Sequence, residues 1–180
     1  NRFGHVSPTT AGHVLDDLDG RLDLVLDGGP ARVGLESTIV EVLVGQPPTL
    51  LRPGGISVGQ LEQVLGEPIV DGRTGPSRAA GMLASHYAPH ATVEIVDVAD
   101  ARSDGVPNDI GVAVISAIAL DHPDVTVLSN DAGRFGAGLY EALRAIDARG
   151  MERIVIVPPT DGVLLPAVLD RLSKAAGPRS

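Results

Sequence analysis

Residues 135–157 read FGAGLYEALRAIDARGMERIVIV, and this stretch decides the fold. Its first part predicts a helix over residues 135–149, because Leu139, Ala142, Leu143 and Ile146 recur at three- and four-residue spacing and share one stripe. The run RIVIV at 153–157 then predicts a short strand. Working outward, further strands are expected over 93–98, 111–116 and 125–128. A last helix is expected over 165–176, with Leu165, Val168, Leu169 and Leu172 as its apolar stripe. Pro166 is tolerated there because it falls in the first turn. Strands alternating with helices predict a parallel, doubly wound, Rossmann-like sheet over residues 93–180.

Upstream, residues 1–66 read differently. Ser7-Pro8-Thr9-Thr10 is a helix start, Val14, Leu15 and Leu18 give a short apolar face, and Gly20 ends it. Residues 22–26 read as a short strand closed by the turn Asp27-Gly28-Gly29-Pro30. Strands are expected over 37–44 and 49–51, the second ended by Pro53-Gly54-Gly55, and an amphipathic helix over 57–65 with Leu61, Val64 and Leu65 on one side. Between the two parts, residues 67–92 hold Pro68, Gly72, Gly75, Pro76, Gly81 and Pro89 and read as an irregular linker. A connection of that length is usually functional or mobile.

Composition narrows the class. The chain has 180 residues, 43% hydrophobic and only 2% aromatic, so its core must be built from Val, Leu, Ile and Ala. That suits parallel strands covered by helices. Cysteine is absent, which excludes disulfides and thiolate zinc sites and fits a cytoplasmic location. The polar opening, residues 1–10, does not read as a secretory signal. The apolar run 110–120, interrupted by Ser116, is too short to span a bilayer. The net charge of −9 predicts no strong direct contact with nucleic acid, and any nucleotide bound is small and held by a few placed groups.

Motifs along the chain then resemble one family in the right order. These are NRFGHVSPTTAGHVLDDL at 1–18, DGGPARVGLESTIVEV at 27–42, PPTLLRPGGIS at 47–57, AAGMLASHYAPHA at 79–91, and LYEALRAID, RIVIVPP and VLDRLSKAA within 139–176. They resemble the L-threonylcarbamoyladenylate synthases (the YrdC-like family), as the C-terminal portion of a two-domain member. The resemblance implies a partial YrdC-like twisted α/β domain (1–66), a linker or lid (67–92) and a Rossmann-like C-terminal domain (93–180). It implies an enzyme that makes threonylcarbamoyl-AMP and pyrophosphate from L-threonine, bicarbonate and ATP, with Mg2+ accompanying the nucleotide. A tRNA-modifying transferase complex would take the product. The family's K-x-R motif and the Ser of its S-x-N signature would fall ahead of Asn1, and Ala80 stands where the linker motif usually has Pro. The alternative reading is a truncated, non-catalytic nucleotide- or partner-binding module.

Adenylation needs cations on the triphosphate and a carbamate oxygen aimed at the α-phosphorus, and arginine suits the first task through its planar fork. By resemblance Asn1, Thr9, Arg52 and Tyr87 bind ATP and Ser37 binds threonine, with Ser7, Thr38 and His86 as accessory positions. Each has a plainer reading. Arg52 is also a surface arginine at a strand end, Ser37 a hydroxyl satisfying its own backbone, Ser7 or Thr9 a helix cap, and Tyr87 a side chain packing the linker. Glu36 is read as orienting a neighbour or pairing with an arginine, not as a general base, and no residue is assigned as catalytic. No metal site is expected: His86 and His90 are four apart, but Pro89 opposes a helix there. Gly133, Gly136 and Gly138 are in the wrong order for a dinucleotide fingerprint and read as a loop entering a helix. His5, His13 and His122 read as surface residues, and Asp161, Asp170 and Arg171 as solvated charges.

Overall fold

The computed structural model describes residues 4–74, 78–81 and 86–178. The chain forms two sheets. The larger is built from β4 (Thr92–Ile95), β5 (Val112–Ser116), β6 (Val125–Val127) and β7 (Arg153–Val157) in the order β4-β7-β5-β6, with every pairing parallel. Strand side chains alternate between faces. Ala113, Ile115, Ile154 and Ile156 point into the main core, while Val112, Val114 and Val155 form a small cluster on the other face. The helices α4 (Ala132–Asp147) and α5 (Leu165–Ala175) cover the main core with Phe135, Leu139, Leu143, Ile146, Val168 and Leu172.

The smaller sheet has the order β1-β2-β3: β1 (Ile39–Glu41) runs antiparallel to β2 (Thr49–Arg52), which runs parallel to β3 (Val70–Asp71). Two helices accompany it, α1 (Ala11–Leu18) and α2 (Val58–Leu65). In α2, Ser57 and Gln60 form a capping box, each satisfying the other's free backbone N–H, and Gly66 closes the helix in the left-handed conformation. No described helix is long and apolar enough to cross a membrane.

Several expectations are corrected. Residues 22–26 form no strand, and Leu24 and Leu26 are exposed. A strand needs a neighbouring edge to hydrogen-bond, and no described strand lies beside this one. The strand expected over 93–98 ends at Ile95, because Asp97 caps a short helix, α3 (Val98–Ser103). The linker opens with β3, which extends the smaller sheet. Helix α4 begins at Ala132, capped by the Asp131 side chain accepting from the Arg134 N–H. Gly133, Gly136 and Gly138 therefore lie inside the helix. At Gly136 a Cβ would stand 2.8 Å from Leu35 Cδ1, so that glycine thins the helix for an incoming leucine.

His122 is buried, with its ring against the Pro107 carbonyl, and the His13 side chain is largely covered beside Glu141. Both depart from the surface reading. The two halves also share a core: Val6, Leu35 and Tyr87 pack into the cluster under α4 and α5. Arg144 on α4 adds a clamp, donating to the Val6 and Ser7 carbonyls and to the Asp17 carboxylate.

Candidate active site

The turn after β2 is packed directly against the backbone of residues 36–38. A Cβ on Gly54 would lie 2.3 Å from the Glu36 carbonyl oxygen and 2.4 Å from the Thr38 nitrogen, so only glycine lets residues 36–38 pass this close. That approach sets Arg52 beside Ser37. The Arg52 Nε donates to the Ser37 carbonyl at 3.0 Å and Nη2 donates to the Ser37 hydroxyl at 3.2 Å, across fifteen residues of chain. Nη1 donates to the Ala80 carbonyl at 3.2 Å and reaches the Tyr87 hydroxyl at 3.4 Å. Arg52 is buried, and two carbonyls fix the plane of its guanidinium. Four of its five N–H donors are engaged with these protein oxygens, and one on Nη2 is left for a further acceptor.

Tyr87 closes the group from the linker. It is the one described non-glycine residue with positive φ, at 59°, and it is buried. An aromatic residue in the left-handed region costs about 1–3 kcal/mol and persists only where its surroundings hold it. Several contacts do so. Its ring lies 6.0 Å from that of Tyr140, His86 meets it edge-on at 4.1 Å, and Ala88 N–H donates to the Gly4 carbonyl. Gly81 makes room for the phenol, since a Cβ there would fall 2.2 Å from the Tyr87 hydroxyl oxygen.

Beneath these residues is a charged node that the sequence reading missed. Arg171, on α5, is fully buried rather than solvated. Its Nε donates to Glu36 at 2.6 Å, Nη1 to Asp170 at 2.5 Å and Nη2 to the Pro53 carbonyl at 2.9 Å, and its guanidinium lies 5.0 Å from the Tyr87 ring centroid. The Asp170 side chain, read from the sequence as solvated, is also largely covered and lies 3.0 Å from Lys174. Glu36 does pair with an arginine. Its carboxylate accepts from Arg171, from Ser7 Oγ at 2.6 Å and from the Tyr140 hydroxyl at 3.0 Å. Burial pushes the Glu36 carboxyl upward, but the Arg171 charge and the bonds from Ser7 and Arg171 outweigh it and hold it below the ordinary carboxylate value. Burial and the nearby Glu36 charge push both phenols, Tyr87 and Tyr140, above theirs. The apolar flank of α5 hid Arg171: at 171 it precedes Leu172 on a helix whose stripe alone marks the buried side.

The other expected residues are placed as follows. Ser7 serves Glu36, and Thr38 both donates to and accepts from the backbone of Ile56. Neither Ser7 nor Thr9 caps α1; Thr10 does, accepting from the His13 N–H, which also leaves Pro8 ahead of the helix. Thr9 is buried, with its hydroxyl 3.2 Å from His13 Nδ1, and is not among the residues around Arg52. His86 donates its N–H to the Lys174 carbonyl, which hangs the linker on α5. Burial lowers its ring pKa. Asn1 lies outside the described residues. A neighbouring groove of about 360 Å³ between residues 53–59 and the start of α5 is lined mainly by apolar side chains and by no cation, so it does not suit a polyphosphate.

Two α/β units are joined through a buried arginine paired with a carboxylate, and a second arginine is fixed beside a hydroxyl and a phenol, which defines an α/β protein of two packed units. Comparison with known proteins gives the family. A family model described as "Threonylcarbamoyl-AMP synthase, C-terminal domain" matches residues 56–177, and one described as "Telomere recombination" matches residues 1–54. The threonylcarbamoyl-AMP synthases of Pyrococcus abyssi and Bacillus subtilis are 34% and 36% identical, each over 99% of this chain and 56% of its own length. The chain thus spans about half the length of the curated relatives it matches. The crystal structure of P. abyssi Sua5 complexed with L-threonine superposes with a TM-score of 0.80 at 33% identity, covering 98% of this chain and 56% of that one. The chain belongs to the threonylcarbamoyl-AMP synthase (Sua5/YrdC) family, and it has that family's α/β fold.

Proposed function

We propose that these residues are part of a threonylcarbamoyl-AMP synthase and supply one wall of its ATP and threonine site. In this reading the threonine nitrogen bonds to the carbon of bicarbonate, whose hydroxyl leaves as water with a proton from that nitrogen, giving the carbamate. A carbamate oxygen then bonds to the α-phosphorus of ATP while the bond to the bridging oxygen breaks, and pyrophosphate leaves with that electron pair. Arg52 takes a phosphate, Tyr87 meets the nucleotide, Ser37 meets threonine, and Thr9 and Asn1 face the nucleotide from the opening segment. Residues 1–66 are the C-terminal part of the catalytic domain, residues 67–92 the segment that folds over the nucleotide, and residues 93–180 the second domain of a two-domain member. The product passes to a tRNA-modifying transferase in the cytoplasm. The observation that carries this reading is the meeting of Arg52, Ser37 and Tyr87, three residues from separate segments, at hydrogen-bonding distance.

Mg2+ would come with the triphosphate. The carboxylates of the node, Glu36 and Asp170, are both spent on cations, so they do not fit a metal, and no step is assigned through one. The test is pyrophosphate release by the full-length protein. It is expected only when ATP, L-threonine and bicarbonate are present together. Release that ignores threonine would refute the assignment.

A further inference from the structure

The second domain, residues 93–180, has no task in the proposed reaction, yet one of its side chains touches the three segments that carry Ser37, Arg52 and Tyr87. Arg171 Nε binds the carboxylate of Glu36, the residue before Ser37. Its Nη2 binds the carbonyl of Pro53, the residue after Arg52. Its guanidinium lies over the ring of Tyr87 itself. Asp170 takes the remaining edge through Nη1, and Lys174 balances Asp170. The same turn of α5 holds the linker through the Lys174 carbonyl and the His86 N–H.

A buried, unpaired arginine is costly, and a buried pair is often no more stable than apolar packing in its place. Stability alone is therefore a weak reason for this arrangement. What the arginine offers is geometry: a rigid fork that fixes two backbones and one ring relative to each other. A lysine has the charge without the fork.

We propose that Arg171 is a positioning residue through which the second domain sets the mutual placement of Ser37, Arg52 and Tyr87. It touches no substrate and acts through Glu36, Pro53 and the Tyr87 ring. The inference rests on the synthase reading for its catalytic consequence but not for its physical content. The second domain is accordingly part of the site's machinery, and α5 is its point of action.

The test compares wild-type full-length protein with Arg171→Lys and with the double variant Glu36→Gln/Arg171→Met, which removes both charges of that pair together and leaves Asp170 with Lys174. Hydrogen–deuterium exchange reads the placement directly. Exchange is expected to rise in segments 36–38, 52–54 and 86–88 in Arg171→Lys, while the strands β5 and β7 stay protected. Steady-state pyrophosphate release reads the consequence. A displacement of about 1 Å costs about 100-fold in rate, so kcat is expected to fall about that far in both variants, including the double variant with its urea midpoint recovered. Unchanged exchange in all three segments overturns the proposal whatever the activity. So does wild-type kcat in either variant, because a purely structural role is satisfied once charge or stability is restored. If wild-type protein releases no pyrophosphate, the synthase reading fails, and the exchange data still decide whether Arg171 holds the three segments.

Discussion

Replacing Glu36 by Gln tests the node most directly. The carboxylate accepts from Arg171, Ser7 and Tyr140, two of these bonds being 2.6 Å long. A neutral amide keeps one acceptor and turns an N–H2 toward a donor. The hydroxyls of Ser7 and Tyr140 rotate to accommodate it, but the guanidinium does not. A hydrogen bond to a charged group is worth about 1.5–3 kcal/mol, and removing one member of a buried pair costs about 3–5 kcal/mol. The figure falls toward the lower range here for two reasons: the Glu36 side chain keeps 18% of its exposure, and Asp170 still neutralises Arg171. The expected loss is about 2–3 kcal/mol. Urea unfolding of the 180-residue chain measures it, and tyrosine fluorescence is a local probe, because the chain has no Trp and its two tyrosines, Tyr87 and Tyr140, both face the node. The lowered Glu36 pKa adds a pH signature. Its stabilisation is full above the unfolded value of 4.5 and is lost as pH falls through the lower folded value, so the variant loses less stability in acid than the wild type. A loss below about 0.5 kcal/mol, the range of an ordinary surface substitution, would refute the claim that Glu36 and Arg171 join the two units.

Other outcomes follow from the same geometry. Arg52→Ala is expected to weaken ATP binding to the full-length protein by about 1.5–3 kcal/mol in calorimetric titration; unchanged affinity removes Arg52 from the site. Gly54→Ala forces a methyl into the backbone of residues 36–38 and is expected to cost about 1–3 kcal/mol or more. Gly59→Ala, in open space on α2, is expected to stabilise by about 0.5–1 kcal/mol, and paired urea curves check both. Burial holds the His86 ring below its ordinary pKa, so its contribution is full above pH 6.5 and is lost as pH falls from 6.5 through the lower folded value. The urea midpoint of His86→Gln is expected to vary less than that of the wild type between pH 7 and 5, and parallel profiles would rule the ring out.

The sequence by itself determined the elements whose signals are local. The spacing of Leu139, Leu143 and Ile146 marked α4, the run at 153–157 marked β7 to the residue, and the spacing of Leu61, Val64 and Leu65 marked α2. The Pro53-Gly54-Gly55 turn also marked the end of the strand that carries Arg52. Tertiary structure alone decided the rest. A leucine-rich stretch at 22–26 is a strand only if an edge is offered to it, and none of the described strands offers one. Gly136 looked like a loop residue until Leu35, a hundred residues upstream, came to rest on it. Arg171 looked like surface charge, since composition cannot say that a carboxylate 135 residues away waits inside the fold. The physical reason is the same in each case: periodicity records which side of an element is buried, while hydrogen-bond and charge partners are chosen by contacts between distant parts of the chain.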